Sequence, residues 1–359
     1  MKQFSFSIVA SLFFSSILFA QTANQLQTGW YRASIMREDG AAIIFNAELQ
    51  QKNGAYSMYI RNGEERILVD DIQVKGDSVH IEMPFFESYF RLQIQADGKL
   101  VGKWLKAGSA KLLEFPVEFL YGQEERFTET EKLTENSSGR WQVAFTRPNG
   151  TDRPAIAEFQ QKGSALTGTF LTPSGDYRFL EGIVNGDSLL LSCFDGSHAY
   201  LFTATISGNE IRNGMYYSSA VPVEKWRATK DEKAALPDTT QTTELKPGES
   251  KLNFTFKDVN GKNVSINDAR FKNKVVVIQI MGSWCPNCMD ESKFLSSFYK
   301  EYKSKGVEVV ALAYEYSTDF NRSKASVQKF IRRFNIQYPV LITPTTTSDE
   351  QRTEKTLPQ

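Results

Sequence analysis

An apolar, largely β-branched run at residues 275–280 breaks at Gly282-Ser283 and is followed directly by Trp284-Cys285-Pro286-Asn287-Cys288. A run of that kind predicts a buried, central strand. Pro286 suits the first turn of a helix, where its fixed φ fits and its missing N–H is not needed. Phe294, Leu295, Phe298 and Tyr302 recur at helical spacing, and Gly306 is placed to stop the helix. A strand at 307–315, an amphipathic helix at 323–335 and a short strand at 338–342 follow. Ahead of them, residues 252–266 alternate on both sides of Asn260-Gly261, as around a two-residue hairpin. Strand, helix, strand, helix predicts a right-handed βαβ crossover with both cysteines where the first strand meets its helix.

That placement decides among a redox couple, half of a zinc site and a structural staple. At a helix start, unpaired N–H groups and the positive end of the dipole favour a Cys285 thiolate. One helical turn brings Cys288 back beside it, so a small reversible disulfide ring can form. Cys285 is then the expected nucleophile and Cys288 the resolving thiol, with Trp284 covering the pair. Zinc needs two more ligands, and the chain offers only Cys193, His80 and His198, all far away in sequence. A staple closing so short a loop adds little stability. No metal or other cofactor is expected beyond the redox-active Cys285–Cys288 disulfide.

The stretch FTFKDVNGKNVSINDARFKNKVVVIQIMGSWCPNCMDE, residues 254–291, resembles the TlpA/ResA-like branch of the thioredoxin superfamily. The resemblance spans about residues 252–342. It implies a thioredoxin fold with an N-terminal hairpin and an extracytoplasmic thiol–disulfide oxidoreductase, usually a reductant. Protein thiols or disulfides would be its substrates, with an upstream electron donor. Cys285 and Cys288 match the family's redox pair and Trp284 its preceding tryptophan, so Trp284 and Pro286 are expected at the substrate. Glu291 matches an acidic residue beside the pair and is expected to move a thiol proton. Gln279 stands where thioredoxin has a buried acid and cannot take that part. Asp290 is expected to be solvated. The family's cis-proline loop and following strands find no match in residues 343–359, so the domain reads as truncated there.

The earlier part of the chain reads as all-β. Between residues 29 and 229, alternating segments are separated by Asn-Gly, Asp-Gly and Gly-Asp turns, and AELQQKNGAYSM from Ala47 returns as AEFQQKGSALTG from Ala157. KGDSVHI and NGDSLLL keep the same offset of 110, and Trp30 and Trp141 open the two copies. Two antiparallel barrels or sandwiches of seven or eight strands each are expected, packed together, in preference to one larger two-fold barrel closed by both copies. The second copy also resembles the N-terminal part of some longer family members. His80 is expected on a solvent face and Cys193 as a buried, inert thiol. The turn at 172–182, with Asp176, Tyr177 and Arg178, suits a partner surface or a plain turn equally.

The expected organisation is multidomain: two all-β antiparallel repeats followed by an α/β thioredoxin-like domain. A signal peptide spans 1–20, β-repeats 25–127 and 136–230, a linker 231–250 and the redox domain 251–359. The signal rests on Lys2 followed by an apolar, Ser-containing run ending at Ala20, too short and polar for a membrane anchor. Export places the chain where disulfides persist. With 42 basic and 42 acidic residues, nothing points to nucleic acid. A second functional class stays open: a binding or adaptor protein whose β-repeats hold a partner, with the redox domain vestigial.

Overall fold

The computed structural model describes residues 25–84, 86–108, 111–219, 222–237 and 244–359; the segment read as a signal peptide lies outside them. Nine strands from Gly29–Met36 to Leu112–Tyr121 form one antiparallel sheet, whose first strand pairs with both its second and its last. Nine more, from Gly139–Thr146 to Glu224–Lys230, repeat the topology. In this second copy Ala165–Thr172 pairs with both Asp152–Lys162 and Leu180–Asn185, which closes the sheet into a barrel; the first sheet is barrel-like, with Glu65–Val69 and Asp71–Lys75 as its two ends. The strand number exceeds the seven or eight expected because pieces as short as Gly175–Asp176 carry no alternation to read.

The duplication extends to single hydrogen bonds, but not through Trp30. Tyr31 and Trp141 are the equivalent residues, each almost fully buried. The Tyr31 hydroxyl donates to the carbonyl of Gln27 at 2.9 Å and the Trp141 indole N–H to that of Ser137 at 2.8 Å, in each case four residues back. Trp30 lies one place off the core and carries the Arg61 guanidinium over its ring.

The two sheets share a core. Phe194, from the second, inserts into the first and stacks on Phe45 with centroids 4.3 Å apart. Around it, Asn62 exchanges two hydrogen bonds with the Phe194 backbone. The buried Arg126 guanidinium donates to the Asn46 side chain and the Ser192 carbonyl and pairs with Glu181. Burial lowers the pKa of Arg126 while Glu181 holds it up. Each donor thus finds a partner, which a buried cation requires.

The remaining residues build a five-stranded sheet, numbered here from its own first strand. The elements are β1 Thr255–Asp258, β2 Asn263–Ser265, β3 Val275–Met281, α1 Pro286–Tyr302, β4 Val307–Ala313, α2 Phe320–Arg333, β5 Val340–Ile342 and the short α3 Arg352–Thr356. The strand order is β2-β1-β5-β4-β3, with β3, β4 and β5 parallel. Two readings need correction. The β1–β2 turn is wider than a two-residue hairpin, because the Asp258 carboxylate takes the N–H groups of both Asn260 and Lys262. β3 lies at the edge of the described sheet, with Val275 and Ile280 68% and 50% exposed. In α1 the buried side is Cys288, Ser292, Leu295 and Tyr299, whereas Phe294 is exposed and stacks with Phe298, which stacks on Tyr302. An aromatic stripe looks the same in sequence whether it faces a core or lines a helix surface.

Candidate active site

Cys285 is the N-cap of α1. Its backbone is extended, with φ −97° and ψ 113°, and its sulfur accepts the Cys288 N–H at 3.2 Å. Pro286 is the first helical residue, so no N–H is wasted there. The two cysteines form a disulfide with Cα atoms 5.2 Å apart. Cys285 is partly exposed and Cys288 is buried. A disulfide across one turn at a helix start leaves one sulfur open to attack and shields the other.

Trp284 folds back so that its indole lies against the Cα of Gly282, where any side chain would collide. Its N–H donates to the Tyr314 carbonyl at 2.8 Å and its ring packs on Tyr316. The Ser283 N–H and hydroxyl both donate to Glu315, at 2.9 and 2.6 Å. Burial pushes the Glu315 carboxyl up to about 7, against the pull of those two bonds. Glu315 was not singled out from the sequence, where Tyr-Glu-Tyr reads as the end of a strand.

Glu291 is exposed on α1 and accepts a hydrogen bond from the Gln279 side chain at 3.0 Å. Gln279 is buried, donates also to Ser292 at 2.9 Å, and accepts from the Tyr338 hydroxyl at 3.2 Å. The amide that replaces a buried acid thus holds a carboxylate at the helix surface. Asp290, expected in solvent, keeps its side chain 60% exposed and also pairs with Arg178 of the second barrel. Burial raises the Asp290 pKa, partly offset by Arg178.

The turn containing Arg178 lies on the cysteine motif. The Asp176 carbonyl accepts from the Asn287 side chain at 3.3 Å, and that side chain packs against Gly175, which has φ +139° and no room for a Cβ. Arg178, in a left-handed conformation with φ 57°, donates to the Pro286 carbonyl at 2.9 Å and pairs with Asp290 and with Glu65 of the first barrel. Cys193 is a fully buried free thiol whose pKa burial pushes well up. His80 is half-buried beside Glu82, on the face opposite Val79 and Ile81. Among the described residues, no cluster of three or more His, Cys, Asp or Glu could hold a metal ion. No helix among them is long and apolar enough to cross a membrane.

The Redoxin family description matches residues 237–349. A thiol-disulfide oxidoreductase ResA of Bacillus thuringiensis is 31% identical over 103 residues, 29% of this chain and 55% of that protein. The ResA of Bacillus subtilis is 32% identical over 98 residues, 27% of this chain and 50% of its own length. The chain spans about half the length of these relatives. A thiol-disulfide oxidoreductase structure from Bacteroides fragilis aligns with 29% of this chain and 71% of its own, at 20% identity and a TM-score of 0.25. The match to the Redoxin family falls on the C-terminal module that carries Cys285 and Cys288. Over that part the chain is similar to the ResA thiol-disulfide oxidoreductases.

Proposed function

We propose that the chain is an extracytoplasmic thiol–disulfide oxidoreductase that reduces protein disulfides through Cys285 and Cys288. One observation carries the reading: a partly exposed Cys285 caps α1 and is bonded to a buried Cys288 one turn on. The Cys285 thiolate attacks one sulfur of a substrate disulfide and releases the other as a thiolate. The Cys288 thiol gives up its proton and attacks Cys285, expelling the second substrate thiolate and closing the disulfide. Two electrons pass to the substrate. Glu291, held by Gln279, takes the Cys288 proton and passes it toward the leaving thiolate. A dithiol donor then re-reduces the pair. The location outside the cytoplasm rests on the reading of residues 1–20.

Trapping tests this. Cys288→Ser, incubated with a disulfide-bonded protein, should accumulate a mixed disulfide at Cys285 because the resolving attack is lost. Cys285→Ser should form none. A chain in which neither variant forms an adduct is not an oxidoreductase of this kind.

A further inference from the structure

Arg178 lies 108 residues ahead of Pro286 in the chain, yet its guanidinium touches the first residue of the redox helix. It is 7% exposed and paired with two carboxylates, Glu65 from the first barrel and Asp290 from α1. Asp176 and Asp195 add further negative potential nearby, Asp195 being itself buried and bonded to His198. A left-handed arginine is uncommon and is held here by its partners. The same turn holds the side chain of Asn287, which stands between the two cysteines.

We propose that Arg178 is a positioning residue supplied by the second barrel, whose charge, set against Glu65 and Asp290, fixes how readily the Cys285–Cys288 pair is reduced. The inference rests on the oxidoreductase reading above. When a dithiol reduces the pair, one of its thiolates attacks the disulfide and its second thiol displaces the mixed disulfide. The products are an oxidised dithiol, a Cys288 thiol and, where Cys285 ionises, a Cys285 thiolate with one proton released. The new negative charge forms at the N-cap, one residue from the carbonyl that Arg178 holds. A cation there stabilises the reduced form, and carboxylates there destabilise it. The reduction potential follows the stability of the reduced form.

The charges make the test signed. Arg178→Gln, Asp290→Asn and Glu65→Gln each break the same ionic cluster, so loss of a merely structural clamp would move all three alike. The full chain of each is equilibrated with reduced and oxidised dithiothreitol, and Cys285 ionisation is followed by thiolate absorbance. Arg178→Gln should shift the equilibrium at least threefold toward the disulfide and raise the pH of Cys285 ionisation. Asp290→Asn and Glu65→Gln should shift both the opposite way; tenfold corresponds to about 30 mV. Thermal melts confirm that each variant is folded, and Asp290→Asn, at a side chain 60% exposed, serves if Arg178→Gln is not. Three shifts of one sign, or none reaching threefold, in a wild-type pair that equilibrates normally overturn this inference alone. A wild-type pair that never equilibrates removes the oxidoreductase reading and this inference with it.

Discussion

The Gln279 side-chain amide donates to the Glu291 carboxylate at 3.0 Å, joining a buried position on β3 to the exposed face of α1. The bond fixes where the Glu291 carboxylate points. Glu291→Gln is therefore expected to slow disulfide exchange about a hundredfold, the lower end for a positioned general base, with little change in melting temperature. Gln279→Ala should slow exchange and also destabilise the domain by about 1–3 kcal/mol, because the buried Tyr338 hydroxyl loses its acceptor. Equal exchange rates in wild type and Glu291→Gln would remove the carboxylate from the chemistry.

Glu315 makes stability depend on pH. Its carboxyl is at about 7 in the folded chain against 4.5 in the reference. The folded state holds the proton more tightly, so this stabilisation is full below pH 4.5 and lost as pH rises through about 7. The loss is ~3 kcal/mol at most, about 1.4 kcal/mol for each pH unit between the two values. Denaturant unfolding at pH 5 and pH 8 should show a smaller difference for Glu315→Gln than for wild type. An unchanged difference would mean that Glu315 does not titrate in this range.

Phe194 ties the two barrels together. Phe194→Ala leaves a hole among Phe45, Phe90 and Trp104 of the first barrel. The cost should be about 3–5 kcal/mol. Hydrogen exchange should lose protection in strands of both barrels. Loss confined to the second barrel would show that the shared core does not couple them.

The buried Cys193 should resist alkylation in the folded, reduced chain and react only when denaturant is added. Mass analysis of alkylated peptides reads this directly. Labelling of Cys193 under native conditions at the rate of Cys285 would contradict the burial.

The redox helix was legible because its signals are local: an apolar strand, a break and a Cys-Pro-x-Cys helix start lie within fifteen residues. The duplication was legible because strand alternation and turns repeat at a fixed offset. Trp30 and Trp141 do open the two copies, but strand phase rather than residue type decides which positions are equivalent, and it is Tyr31 that points inward. The contacts of Arg178 left no trace because they join segments more than a hundred residues apart, with no shared periodicity. The same holds for the Glu87 carboxylate of the first barrel, which receives Arg322 and Ser326 of α2. Glu315 looked like a strand end, and only the fold shows that it closes on Ser283.

Electron transfer itself is the most direct test. The pre-reduced full chain is mixed with excess disulfide-bonded protein, quenched in acid, alkylated and weighed by mass. One substrate disulfide should open for each Cys285–Cys288 disulfide formed, with Cys193 remaining a thiol throughout. A reduced pair that persists beside intact substrate disulfides would contradict the assignment of Cys285 and Cys288 as the working couple.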